Sequence, residues 1–223
     1  MKKYSLLSLA VLSLSLLGST PRLVLAEDLY SGIALINVAQ AVESDAGTAS
    51  INYTVPETVP AIAQPKPNAC WATSATMMVS WHDRASYSIE QVMDKAGEYY
   101  SRIFEEDTGL FQFDQKQLFS ALNMIAEAPQ SYTVEGLLSL LKNYGPLWVT
   151  TDVGSKSSPA LHDRIVIGMT GDGTLDGTDL EIIDPAYGNR YNESFRNFMR
   201  KFEQVASGDI QRGEGVRIQV VHF

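Results

Sequence analysis

Residues 64–81 read QPKPNACWATSATMMVSW and contain the strongest structural pattern in the chain. The part from Cys70 to Trp81 is apolar on most sides of a helical wheel, which predicts a central and buried helix. Asn68 is of a residue type that often caps helices, so we expect it to cap this helix at its N-terminus. Two prolines stiffen the segment that leads into the helix.

Three further helices are expected before residue 145. Two of them begin with the spacing of a capping box, in which the N-cap residue and the residue three positions later bond each other's backbone. The pairs are Ser88 with Gln91 and Asp114 with Gln117. Apolar residues recur at helical spacing up to Tyr100, so the first of these helices should extend that far. The third covers residues 133–144 and ends at Gly145-Pro146, a usual termination pattern.

From residue 147 onward the pattern changes to short segments that are rich in branched residues and separated by Gly/Asp turns, which predicts antiparallel strands. These segments are 147–153, 164–169, 180–183 and 216–221. One more helix lies between the last two, with an apolar face formed by Phe195, Phe198, Met199, Phe202 and Val205. Helices followed by strands predict an α+β protein, in which an N-terminal helical half containing the Cys70 helix packs against a C-terminal antiparallel sheet. We expect the functional site in the cleft where the two halves meet.

The N-terminus has the layout of a secretory signal peptide. Lys2 and Lys3 precede an apolar run over residues 4–17, which is too short to span a bilayer, and Val24-Leu25-Ala26 is a small-residue cleavage pattern. We therefore expect three regions: a signal peptide over 1–26, a lead-in or short pro-segment over 27–60, and the folded domain over 61–223. The mature chain should be secreted or periplasmic, without a membrane anchor.

Composition narrows the function further. Of the 17 basic residues the signal peptide removes three, which leaves 14 against 26 acidic residues, so no nucleic-acid partner is expected. A single cysteine excludes an internal disulfide and a cysteine-rich zinc site.

Three aspartates in the loop 172–179 suggest calcium, yet the twelfth loop position is Ile183 and not Glu, so a hairpin turn is the better interpretation. No metal or cofactor is expected, and the oligomeric state stays open.

The lone cysteine has two interpretations. On an apolar helix, a cysteine is more often inert packing than a nucleophile. Cys70, however, lies in the first turn of its helix, where unpaired N–H groups and the helix dipole favour a thiolate. A thiol also needs a nearby imidazole for nucleophilic work at neutral pH.

Three histidines could supply that imidazole. His82 is excluded because it lies on the same helix, about 18 Å from Cys70 at 1.5 Å per residue. His222 is a weak candidate because no acid follows it to orient the ring. His162 remains, at the start of a strand that should face the cleft.

Two aspartates could orient His162, and one glutamine could assist. Asp163 is the next residue but should point to the opposite face of the strand. Asp184 is the better candidate, because a hairpin centred near Thr174 pairs residue 164 with residue 184 and leaves Asp184 diagonal to His162. Gln64 stands six residues before Cys70, where its amide could donate to an oxyanion together with the Cys70 N–H. Taken alone, a surface Gln and an Asp-Pro turn are the default interpretations of these residues.

These segments resemble the papain-like cysteine peptidases. Residues 64–72 are similar to the Gln-x5-Cys-Trp segment of that family, and His162 with its apolar strand, followed by Ile182-Ile183-Asp184-Pro185, resembles the His and Asp/Asn segments in the same chain order. The likeness covers roughly residues 60–223. It is greatest to the bacterial branch that includes secreted effector proteases of plant pathogens and bacteriocin-leader-processing peptidases.

The resemblance implies a papain-like fold and a thiol protease. By resemblance, Cys70 would be the nucleophile, His162 the base and acid, Asp184 the orienting group and Gln64 the oxyanion donor. The expected function is secreted hydrolysis of a protein or peptide through a thioester acyl-enzyme. The alternatives are a cell-wall amidase, endopeptidase or acyltransferase that uses the same triad, and a catalytically silent binding module of papain-like shape.

Overall fold

The structure, a computed structural model, describes residues 50–155 and 158–223. Within these residues there are six helices. They are α1 Cys70–Asp83, α2 Ile89–Ala96, α3 Glu98–Glu105, α4 Gln112–Ala121, α5 Val134–Tyr144 and α6 Phe195–Gln211. No helix in the described part of the chain is long and apolar enough to span a bilayer.

Seven strands of the described residues form one antiparallel sheet, which together with the helices confirms the α+β class. They are β1 Ile51–Thr54, β2 Ile125–Ala126, β3 Leu147–Asp152, β4 Leu161–Gly171, β5 Thr178–Asp184, β6 Asn189–Ser194 and β7 Val220–His222. The order is β2-β7-β3-β4-β5-β6, and β1 pairs with the C-terminal half of β4 beyond the end of β3. Strands β1, β2 and β6 were not expected from the sequence. Strand β2 has only two residues, and β6 is a polar edge strand without alternating apolar residues.

The register of the β4–β5 hairpin positions the candidate site. Ile165 pairs with Ile183, which is the register that the turn near Thr174 predicts. A bulge between Val166 and Gly168 shifts the pairing farther along the strand, on the side away from His162.

Two apolar clusters cover the two faces of the sheet. Neighbouring residues of a strand belong to different clusters, as a side-chain period of two requires. Trp148 and Ile165 pack in the cluster that contains α1, whereas Val149 and Val166 pack in the cluster that contains α5 and α6. The expected division into a helical half and a sheet half is therefore incomplete. The strands are apolar on both faces, so helices must cover both faces.

Helix ends follow the sequence in some places and not in others. The Ser88 and Gln91 capping box is present as expected, and Thr133 caps α5 through its hydroxyl. The expected box at Asp114 is wrong, because α4 begins at Gln112, two residues before Asp114, and Asp114 instead accepts a hydrogen bond from the Tyr99 hydroxyl at 2.8 Å. Gly97, with φ of 122°, divides the helix that was expected to reach Tyr100.

The end of the expected lead-in belongs to the body of the protein. Strand β1 pairs with β4, and Val55 and Val59 are buried in the core. The folded domain therefore begins at or before residue 51 and not at residue 61. The expected signal peptide over 1–26 and the lead-in up to residue 49 lie outside the described residues.

Candidate active site

Helix α1 begins at Cys70 without a side-chain cap. The expectation that Asn68 caps it is wrong, because the backbone N–H and the side-chain amide of Asn68 both donate to Asp107, at 2.9 and 2.8 Å. The first-turn N–H groups of α1 are thus free of a side-chain acceptor, and the positive end of the helix dipole lies at the cysteine.

Lys66 fixes the segment that leads into α1. Its ammonium donates to the backbone carbonyls of Phe104 and Glu105, each at 3.0 Å, and lies 4.6 Å from the centre of the Phe104 ring. These carbonyls end α3, where a cation also interacts favourably with the helix dipole. The loop before Cys70 is therefore tied to the helical layer and not left to move freely.

One face of α1 meets β4 at Asp163. The Ser74 hydroxyl donates to the backbone carbonyl of Asp163 at 3.3 Å. One turn earlier, the Cys70 Sγ lies 3.9 Å from the Asp163 Oδ2. The thiol thus contacts the carboxylate of Asp163, a residue that was not expected to face Cys70.

The environment of Cys70 disfavours its charged form. Burial, followed by the charge of Asp163, raises the pKa of Cys70 to about 12, although N–H groups of the helix start act in the opposite direction. The helix N-terminus was expected to favour the thiolate, and its N–H groups act in that direction, but burial and the charge of Asp163 outweigh them here. The dipole effect is smaller than the cost of ionising a buried thiol beside a carboxylate.

His162 and Asp184 form the pair that the strand register predicts. The His162 Nε2 lies 2.6 Å from the Asp184 Oδ1, which also accepts the backbone N–H of Ala186 at 2.8 Å. Burial alone would raise the pKa of Asp184, but these hydrogen bonds and the nearby cations outweigh it and hold that pKa below its ordinary value. With Nε2–H directed at the carboxylate, the neutral ring keeps Nδ1 as its acceptor.

Cys70 and His162 line the same pocket, which has a volume of about 210 Å³ and lies between α1 and the N-terminal end of β4. Asp163, Gln115 and Arg217 also line it. A larger pocket of about 410 Å³ lies around Trp81, at the other end of α1, and contains neither a cysteine nor a histidine. The chemistry-bearing residues therefore point to the smaller pocket.

Gln64 lies before α1 as expected, but its amide is already occupied. Nε2 donates to the carbonyls of Lys66 and Pro67, both at 2.8 Å, while the buried Oε1 has no partner among residues 50–155 and 158–223. Both amide hydrogens are thus committed to the backbone. A role for Gln64 as oxyanion donor requires the amide to leave at least one of these carbonyls.

The other two histidines lie outside this pocket. His82 bonds Asp83 at 2.9 Å near the end of α1, in agreement with a structural role. His222 is buried, and its Nε2 lies 2.9 Å from the carboxylate of Glu127, the residue that follows the adjacent strand β2. An acid does bond His222, and it comes from an earlier part of the chain and not from the residues after the histidine.

Three pocket residues were not identified from the sequence. Asp163 lies on the face of β4 that packs against α1, as the alternation of faces along a strand predicts, but the sequence gives no sign that it also faces Cys70. Gln115 is 4% exposed and its Oε1 has no partner among the described residues. Arg217 follows α6 and is held by Asp209, with Nη2 at 2.7 Å from the carboxylate. No sequence pattern connects Gln115 or Arg217 with Cys70.

Of the aspartates near the β4–β5 turn, Asp172 bonds within the turn, whereas Asp176 bonds Arg196 of α6. The Asp172 Oδ1 accepts the backbone N–H of Thr174 at 2.9 Å and its hydroxyl at 2.7 Å. Across residues 50–155 and 158–223, no group of three His, Cys, Asp or Glu side chains is arranged to hold a metal ion.

More than half of the chain matches a known family. The family model described as papain-like cysteine protease AvrRpt2 matches residues 49–203, which include Cys70, His162 and Asp184. No curated protein matches the chain at a significant level. The chain belongs to the AvrRpt2 family of papain-like cysteine proteases and is a cysteine-type peptidase, a hydrolase.

Proposed function

We propose that this cysteine peptidase hydrolyses peptide bonds with Cys70 as nucleophile, His162 as base and acid, and Asp184 as the group that orients His162. One observation carries the proposal: Cys70 and His162 line one pocket, and Asp184 bonds the far nitrogen of His162 at 2.6 Å. The position of this pocket between α1 and β4 supports a papain-like cleft between the cysteine helix and the sheet.

The first half of the reaction acylates the enzyme. The Cys70 thiol proton passes to the Nδ1 of His162 while the Sγ forms a bond to the substrate carbonyl carbon, whose oxygen becomes the oxyanion. Collapse of this intermediate breaks the C–N bond, and the leaving amine takes the proton from Nδ1. Asp184 stabilises the imidazolium that exists between these two proton transfers.

The oxyanion needs hydrogen-bond donors at the start of α1. The N–H groups of the first turn are not capped by a side chain, and the dipole favours negative charge there. Gln64 is the second donor in this proposal, and its amide must turn from the Lys66 or Pro67 carbonyl to reach the oxyanion. Losing one such donor typically costs about 3 kcal/mol of transition-state stabilisation.

The second half of the reaction releases the product. Water gives a proton to Nδ1 and attacks the thioester, the C–S bond breaks, and the Sγ regains its proton from His162. His162 thus acts as base and as acid in each half, and no cofactor takes part in this scheme.

The peptidase is proposed to act after export. The pattern over residues 1–26 supports a secretory signal peptide, so the working chain would begin at Glu27 in the periplasm or outside the cell. Its substrates would be proteins or peptides, as the protease family implies.

The test uses the chain recovered after export, for which N-terminal sequencing should give Glu27 first. Cys70→Ala and His162→Ala should each lower kcat for peptide hydrolysis by about 10³-fold or more. His82→Ala is the control, because His82 lies outside the pocket, and it should keep the wild-type rate. Hydrolysis that survives in Cys70→Ala would contradict the proposal. Release of cell-wall fragments without cleavage of unfolded protein would instead support the same triad on a cell-wall substrate.

A further inference from the structure

The turn that follows Asp184 is a compact unit. The Ala186 N–H donates to the Asp184 side chain at 2.8 Å, and the Gly188 N–H donates to the Asp184 carbonyl at 2.9 Å. Asp184 also pairs with Asn189 across the β5–β6 hairpin. These bonds hold the turn in one conformation at the end of the sheet, so it offers a rigid surface to the segment that packs on it.

The segment that packs on this turn consists of residues 62–64 and leads to the nucleophile. The backbone N–H of Gln64 donates to the carbonyl of Pro185 at 2.6 Å, and Pro185 is buried. Cys70 follows six residues after Gln64. The backbone of the proposed oxyanion donor is therefore bonded to the turn that carries the proposed orienting acid.

Gly188 lies directly against this segment. Its φ of 61° is in the left-handed region that favours glycine. A Cβ built on Gly188 would lie 2.7 Å from the backbone nitrogen of Ala63 and 3.0 Å from the carbonyl carbon of Ile62. Both contacts are with backbone atoms, so no side chain can rotate away to make room. The close approach of the segment to the turn thus requires a glycine at this position.

The segment is held less firmly than the turn. No backbone–backbone hydrogen bond joins residues 56–63 to the rest of the described chain. Arg190 donates to the Val59 carbonyl at 2.9 Å, and Ile62 packs against the cluster around α1 through its side chain. An atom added at Gly188 should therefore displace the segment and not the hairpin.

We propose that Gly188 is a positioning residue for Gln64, because its lack of a side chain lets the segment before Cys70 rest on the turn after Asp184. The inference rests on the proposed role of Gln64 as oxyanion donor. The Gln64 amide donates to the Lys66 and Pro67 carbonyls and must turn to reach the oxyanion. With the backbone fixed at Pro185, rotation of the side chain is enough. A displacement of about 1 Å in such a group can lower the rate by about 10²-fold.

The first experiment measures hydrogen exchange of the Gln64 backbone amide in the exported chain. In Gly188→Ala the added Cβ should break the bond from Gln64 to Pro185, so this amide should exchange about tenfold faster or more. Gly173→Ala is the matched control. Gly173 also lies in a hairpin turn with a positive φ of 86°, but a Cβ built there meets only the end of the Ile51 side chain, at 4.0 Å. In this control the Gln64 amide should exchange at the wild-type rate.

The second experiment measures peptide hydrolysis in a double-mutant cycle. Gly188→Ala should lower kcat by about tenfold or more and change KM by less than about twofold, because an oxyanion donor acts in the transition state. Gln64→Ala should lower kcat by about 10²-fold to 10³-fold. In the Gln64→Ala background, Gly188→Ala should change kcat by less than about twofold, since the residue that it positions is gone. A general structural defect would instead lower kcat by the same factor in both backgrounds.

Gly188→Asn separates the contact from backbone strain. Asn adopts a positive φ more readily than Ala but carries the same Cβ. It should therefore lower kcat as Gly188→Ala does while destabilising the fold less. The same cycle is run with Gly188→Asn if Gly188→Ala does not fold.

The proposal is overturned by either of two results. One is equal exchange of the Gln64 amide in the wild type and in the Gly188 variants, and the other is an equal loss of kcat with and without Gln64. Hydrogen exchange needs no substrate, so it fails separately from the Cys70→Ala and His162→Ala assays that test the proposed function.

Discussion

The contact between His162 and Asp184 shows how one residue pair prepares an imidazole. Asp184 accepts from His162 and from the Ala186 backbone N–H, so its position depends on the turn after β5 as well as on the ring. The hydrogen bond at Nε2 selects the tautomer that leaves Nδ1 able to take a proton. In the proposed reaction, Asp184 is therefore a positioning residue whose charge also stabilises the imidazolium.

Asp184→Asn should lower kcat by about 10²-fold to 10⁴-fold with little change in KM, because the side chain keeps its shape but no longer fixes the tautomer. The pH dependence follows from the lowered pKa of Asp184. The contribution of the ionised Asp184 carboxylate to the free energy of unfolding is present above the unfolded pKa of about 3.9. It is lost as the pH falls through the lower pKa of the folded state. Urea denaturation should thus show the variant less stable at pH 7, with a smaller difference in acid. A variant with wild-type kcat would contradict the assigned role.

At the scale of elements, long periodic segments were predictable and short or polar ones were not. The apolar residues of α1 and the termination pattern at Gly145 were sufficient to predict α1 and α5. The Asn68 cap failed because Asp107, 39 positions later, bonds Asn68 in place of the helix start. Such a contact depends on tertiary packing and cannot be read from local sequence.

The end of α5 packs against the end of α1. Gly145 has φ of 86°, and a Cβ built there would lie 2.2 Å from the Trp81 ring. Gly145→Ala should therefore lower the free energy of unfolding by about 2 kcal/mol or more, since backbone strain and overpacking act together. Gly213, with φ of 73° and no atom within 4 Å of a built Cβ, is the matched control. Gly213→Ala should cost only the backbone part, about 1 kcal/mol. Equal losses in urea denaturation would show that the Trp81 contact contributes nothing.

At the scale of the whole molecule, the sequence predicted the α+β fold class, the chain order of the candidate site residues and the register of the β4–β5 hairpin. It did not predict that helices cover both faces of the sheet. Both faces of the strands are apolar, and helices from opposite ends of the chain cover them. The position of Asp163 against Cys70 follows from the packing of α1 on β4, which no spacing in the sequence specifies. The local sequence pattern thus predicted the His162–Asp184 pair within one hairpin, whereas tertiary packing determined that Asp163 faces the Cys70 thiol.

The start of the folded body can be tested by truncation. Residues 51–59 supply β1 and bury Val55 and Val59, and the Trp81 indole donates to the Pro56 carbonyl at 3.1 Å. A chain beginning at residue 61 loses these contacts and exposes the edge of β4 that β1 covers. Compared with a chain beginning at residue 50, it should lose about 3 kcal/mol or more of stability, from the two valines alone. Thermal unfolding and peptidase activity measure this difference. Equal melting temperatures would place the domain boundary at residue 61 after all.

A chain beginning at residue 50 that is more active than the one beginning at Glu27 would identify residues 27–49 as an inhibitory pro-segment.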